Sequence, residues 1–167
     1  LATVQSAREP AKAELLPVPP TPLVGRASDV QAAACFKEHM LLTREIGDRA
    51  GMAYGLLDLA DVALDQGEHA RVPVLLAESL ELLQQLGNTE GIAMCLERLA
   101  VVALRSSEAA RAARLLAAAT QLHEASGIPR RPDDEPRYQR LRAATIERLG
   151  QAPFLAAWGQ GQAMPLE

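Results

Sequence analysis

The sequence predicts an all-α fold, a short right-handed α-solenoid of about seven helices, on three observations. Apolar residues make up 49% of the chain, much of that Ala and Leu, while aromatic residues make up only 3%. Ala and Leu head the helix scale, and the residues that strands prefer are scarce. A period of 40 residues runs through the chain, marked by Gly47, Gly87 and Gly127 at the ends of LLTREIG, ELLQQLG and QLHEASG. Self-similarity at such a period is the signature of stacked repeats. Within each period the apolar residues recur at helical spacing in two blocks, so the unit is a helical hairpin.

The elements follow in order. Residues 1–27 read as a Pro-rich linker or extended segment, and 28–167 as the repeat domain, within the size of one ordinary domain. The half repeat 28–47 reads as a second helix, Ser28 to Ile46, whose first partner is missing. Stepping by the period matches Ala32 with Ala112, and Phe36 with Leu76 and Leu116, while Ser28 or Asp29 is placed to cap it. Its open face is expected either to be covered by Leu15, Leu16, Val18, Leu23 and Val24 or to meet another chain.

Repeats 48–87 and 88–127 align without a gap: Gly51 with Gly91, Ala60 with Ala100, Leu64 with Leu104, Glu68 with Glu108, Arg71 with Arg111 and Leu76 with Leu116. Leu56, Leu59, Ala60, Ala63 and Leu64 form one stripe, and Leu75, Leu76, Leu80 and Leu83 the other, with DQGE as the turn between them. The boundary glycines suit the left-handed position after a helix, and Asp48 and Asn88 suit N-caps. Residues 128–167 break the period with IPRRPDDEP and then admit the helices RYQRLRAATIERLG and APFLAAWGQGQAM. Phe154 and Trp158 lie four apart on the last of these, which suits a pair of helices that caps a solenoid.

Small residues at Ala60, Ala63, Gly67 and Ser79, then Ala100, Ala103, Ser107, Ala112 and Ala119, with Leu76 and Leu116 beside them, resemble the tetratricopeptide repeat (TPR) pattern. Small side chains let paired helices approach, and a large apolar residue fills the adjoining gap. Val72 departs from the pattern, and Pro73 requires the second helix to start within a turn of it. The resemblance implies a partner-binding groove on the first helix of each pair, at Tyr54, Leu57, Asp61, Leu64 and Asp65, then Met94, Glu97, Val101, Leu104 and Arg105. Apolar positions flanked by charges suit a helix or extended peptide, and the alternative is that some of them pack against neighbouring helices.

The tail from 107 to 167 is similar to the end of the repeat region in bacterial signal-transduction ATPases, including LuxR-type transcription activators. LPVPPTPLVGR resembles the entrance to their nucleotide-binding domain, or else is a plain linker. No GxxxxGK[ST] follows, and Lys occurs only at 12 and 37, so the phosphate-cradling loop is missing from this sequence. The resemblance implies a non-catalytic protein-binding module of a transcriptional regulator. The alternative is a self-associating module, a homodimer through the exposed first helix.

Other chemistry is weakly supported. A net charge of −4 gives no general attraction to nucleic acid, and the ten Arg between 98 and 148 lack interleaved aromatics, so direct nucleic-acid binding is not expected. Cys35 and Cys95 are too few for a disulfide framework or a zinc site, and His39, His69 and His123 share no repeat position, so neither metal nor cofactor is expected. Asp58, Asp61 and Asp65 share one helix, where acids more often form a solvated or peptide-facing edge than an acid–base pair. Neither a membrane span nor a secretory signal is visible, which sets the expectation of a cytoplasmic protein.

Overall fold

The computed structural model of the protein describes residues 31, 34, 35, 38 and 41–164, and among these it contains helices and no strand. Residues 31, 34, 35, 38 and 41–45 are helical and form α1. There follow α2 (Arg49–Asp65), α3 (Val72–Gln85), α4 (Thr89–Arg105), α5 (Ala109–Ser126), α6 (Glu135–Leu149) and α7 (Gln151–Gln162). The expected caps at Ser28 and Asp29, the matches at Ala32 and Phe36, and the segment 1–27 lie outside the described residues.

Equivalent cap bonds, from Asp in one and Asn in the other, start the two matched pairs. Asp48 Oδ1 accepts from the Gly51 amide at 2.9 Å, and Asn88 Oδ1 accepts from the Gly91 amide at 2.9 Å. Each satisfies a donor that the first helical turn leaves open. Gly47, Gly87 and Gly127 have φ of 71, 63 and 65°, the left-handed geometry expected after a helix end. The turn inside each pair uses the same geometry, at Gly67 (φ 75°) and one repeat on at Ser107 (φ 63°). Pro73 is accommodated because α3 starts at Val72, so its missing N–H falls in the first turn.

Packing follows the chain. α2 lies on α3 and α4, α3 on α4, α4 on α5 and α6, and α5 on α6 and α7. Of the small residues expected at the crossings, Ala60, Ala63 and Ser79 in the first pair and Ala100, Ala103, Ala112 and Ala119 in the second are buried, whereas Gly67 and Ser107 are exposed in the inner turns. Leu76 and Leu116 have no exposed surface, and burial of a leucine side chain contributes about 1.5–3 kcal/mol. Gly51 and Gly91 have a reason that the period alone does not give. A Cβ on Gly51 would lie 2.8 Å from Thr43 Cγ2, and one on Gly91 would lie 2.4 Å from Leu83 Cδ2. Thr43 and Leu83 occupy one register position, so each glycine is the seat of the preceding helix pair.

At the C-terminal end α7 lies on α5. Phe154 is buried with Ala113 and Ala157, and Trp158 stacks beside it at a ring-centroid distance of 5.3 Å. A Cβ on Gly161 would lie 2.3 Å from the Arg114 carbonyl oxygen, so only glycine permits this close approach. Among the described residues no helix is long and apolar enough to cross a membrane.

Candidate functional site

Helices α2, α4 and α6 share a face on which charged side chains, rather than apolar ones, meet. Asp61 of α2 is its hub. Oδ2 accepts from Arg98 Nη2 at 2.5 Å, and Arg137 Nη2 of α6 lies 2.8 Å from Oδ1. Arg98 is 6% exposed, and its Nη1 donates to the Met94 carbonyl at 3.1 Å. A guanidinium at that depth requires a charged partner, which Asp61 supplies.

Glu97 is the second node. Arg130 Nε donates to its Oε1 at 2.7 Å, and His123 Nε2 lies 3.7 Å from the same oxygen. Arg130 Nη1 donates to Glu135 Oε2 at 3.1 Å, and its guanidinium carbon sits 3.5 Å from the centre of the Tyr138 ring, in cation–π range. The Tyr138 hydroxyl and Thr120 Oγ1 are 3.0 Å apart, and His123 Nδ1 is 3.2 Å from the Ile128 carbonyl oxygen. Burial works against the Arg130 charge, but Glu97, with Glu135 and Tyr138, outweighs that cost and raises its pKa above the ordinary value. The hydrogen bond from Gln139, reinforced by that from Arg130, lowers the pKa of the Glu135 carboxyl. Together these contacts tie the loop after α5 to α4 and α6.

A narrow cleft opens between α4 and α6, lined by Glu97, Arg98, Val101, Asp134, Arg137 and Tyr138 among others. A wider, more open hollow lies at the end of α5, beside Thr120, His123, Glu124 and Arg130.

The ten residues expected on a groove divide into three groups. Leu57, Leu64, Met94 and Leu104 are buried at 1, 3, 8 and 7% exposure and are not available to a partner. Leu57, Leu64 and Met94 pack into one core cluster with Leu76 and Leu83, and Leu104 packs with Leu116 and Tyr138. The flanks of α2 and α4 are taken up by the helices beside them, which is the packing alternative stated above. Asp61, Glu97 and Val101 come together around the charged face and its cleft. Tyr54, Asp65 and Arg105 lie apart from it: the Tyr54 hydroxyl accepts from Asn88 Nδ2 at 3.0 Å, Asp65 is exposed, and exposed Arg105 lies 3.0 Å from His69 Nε2.

Arg98, Arg130, Arg137, Tyr138 and His123 are not among the residues expected on the groove; the sequence raises the arginines only as a nucleic-acid patch and His123 only as a metal ligand. Asp61 and Arg98 are 37 residues apart, close to one period, whereas Glu97 meets Arg130 in the loop where the period is broken, and no spacing signals that contact.

These charges engage one another around the narrow cleft, where Arg137 is partly exposed. Among the described residues no group of three His, Cys, Asp or Glu is placed to hold a metal ion. The Cys95 thiol is buried, and desolvation pushes its pKa up to about 11, against the hydrogen bond to Ser79 and the charge of Arg98. Comparison with known protein families, with curated proteins and with solved structures returns no match.

Proposed function

We propose that the chain is a non-catalytic protein-binding module, a TPR-like right-handed solenoid with α6 and α7 as its capping pair, related to the repeat region of bacterial transcriptional regulators. The observation that carries this reading is the 40-residue period expressed as two helix pairs with the same caps, the same turn geometry and the same buried small residues. Stacked hairpins of this kind present extended surfaces and leave little enclosed space for chemistry. The surface proposed for the partner is the charged face of α2, α4 and α6, and the partner chemistry it suits is a peptide with charges of both signs. A cytoplasmic setting accords with this role.

The test is selection of a displayed peptide library against the full chain. Enriched peptides whose affinity falls about tenfold or more with Arg137→Glu, a loss of about 1.4 kcal/mol, support the reading. A selection without enrichment overturns it.

One observation favours a second reading, self-association through α1: Leu41, Leu42 and Ile46 are 65, 56 and 76% exposed. Sedimentation of the full chain across concentrations separates the two, since a mass that doubles with concentration supports self-association.

A further inference from the structure

Of the helices α2 to α7, α6 is the least embedded. Two of its 15 residues, Tyr138 and Thr145, are buried, against eight of 17 in α4 and eight of 18 in α5. Leu141 and Ala144 join the core beneath it only as half-buried residues. It also reaches across to α2, α4 and α5 with polar groups. Arg137 Nη2 lies 2.8 Å from Asp61 Oδ1, Arg148 Nη1 donates to the Leu104 carbonyl at 2.7 Å, and the Tyr138 hydroxyl meets Thr120 Oγ1. The Arg137 and Asp61 side chains are 39 and 25% exposed, and an ion pair so open to solvent holds weakly, because water replaces either partner at small cost.

The segments on either side of α6 are anchored without it. Before it, Arg130 Nε donates to Glu97 at 2.7 Å. After it, α7 is fixed on α5 by Phe154, packed with Ala113, and by Gly161 against the Arg114 carbonyl. Between these anchors lie exposed Pro132 and Asp133 at one end of α6 and Gly150 at the other. Gly150 has φ 84° and ψ 153°, a region open essentially to glycine alone, while a Cβ there would meet nothing nearer than Pro153 at 3.8 Å. That joint needs glycine for its backbone geometry and not for packing.

Room decides what this looseness is for. The cleft between α4 and α6 has a free volume of about 10 Å³, space for about one water molecule. No peptide enters it while α6 stays in place.

We infer that α6 is a hinged gate: it lifts off α2 and α4 as a unit, turning at residues 132–134 and at Gly150 while α7 stays on α5. The open gate admits a peptide to the face that carries Asp61, Glu97 and Arg98, and α6 then closes on it with Arg137 in contact. The inference rests on the protein-binding reading and adds the way in which the partner gains access.

Hydrogen exchange of the full chain, followed amide by amide at constant pH, tests the gate without any peptide. A lifted helix of this length has no packing to hold it and frays, so its amides report the opening. Amides of α6 are expected to exchange as one group, at least about tenfold faster than those of α5 and α7. A further rise of about threefold is expected in Arg137→Glu, which removes the ion pair, and in Gly150→Ala, whose Cβ disfavours the closed joint. The amides of α5 and α7 in the same sample are the control for a variant that loses the whole fold. Exchange of α6 in step with α5 and α7, or rates indifferent to both substitutions, overturns the inference. A peptide enriched on this face that saturates the chain without slowing α6 exchange overturns it too. A peptide selection without enrichment overturns the protein-binding reading whatever α6 does, and exchange of α6 in step with its neighbours overturns the gate whatever the selection gives, so the two failures are told apart.

Discussion

In the first helix pair Leu57 and Leu83 are buried and Asp58 is exposed; one period on, Glu97 lies 3.7 Å from His123 and Arg98 is buried. The backbone at these positions is equivalent, with the same caps and turns. The surroundings are not. Leu83 packs onto Gly91 of the next pair, whereas His123 meets the loop that leads out of the repeats and points its Nδ1 at the Ile128 carbonyl. Asp58 is exposed on α2, whereas Arg98 is enclosed by α6 on one side and Asp61 on the other. Register therefore decides where a residue sits in its hairpin, and the neighbouring hairpin decides what that position does.

The largest test of the comparison is the matched pair Leu76→Ala and Leu116→Ala. Both leucines are fully buried, so each substitution is expected to cost about 2–5 kcal/mol in denaturant unfolding. A difference much beyond about 1 kcal/mol would mean that the two cores are not equivalent. Next in size is Arg98→Ala against Asp58→Ala. Loss of the buried guanidinium leaves Asp61 with Arg137 alone and is expected to cost about 1–3 kcal/mol. The exposed Asp58 is expected to change stability by no more than about 0.5 kcal/mol. Equal costs would refute the claim that neighbours set the role of this register position.

Asp48→Ala and Asn88→Ala are each expected to lower stability by about 1 kcal/mol, since each removes one cap bond of the same length. The inner turns give a smaller pair of opposite sign. Ser107→Gly is expected to stabilise by roughly 0.5–1 kcal/mol and Gly67→Ser to destabilise by a similar amount, because both positions hold positive φ.

The smallest expected effect is a pH dependence confined to the second pair and its loop. The folded Glu135 pKa is lowered, so its contribution is present above the unfolded carboxyl value and is lost as pH falls through the lowered folded value. The Glu135 side chain is 45% exposed and solvent screens its ion pair, so the contribution is small. Amide exchange in 127–135 is expected to rise on acidification in the parent chain, with the rise blunted in Glu135→Gln.

Sequence pattern alone reached the all-helical class, the caps at Asp48 and Asn88 and the left-handed Gly47, Gly87 and Gly127. These depend on residues within a few positions of one another, and local chemistry specifies them. Of the residues expected on a groove, Asp61, Glu97 and Val101 lie around the charged face, while Leu57, Leu64, Met94 and Leu104 are buried in the cores, the packing that the sequence left as an alternative. Helical periodicity marks a stripe as apolar but does not say which neighbouring helix covers its flank.

Tertiary structure alone decided the burial of Arg98, the junction of Arg130 with Glu97, Glu135 and Tyr138, the seating of Thr43 and Leu83 on Gly51 and Gly91, and the close approach of Gly161 to Arg114. Each is a contact between residues far apart in the chain. Its strength depends on the distance and the exclusion of water that packing creates, and neither is written in the spacing of the residues.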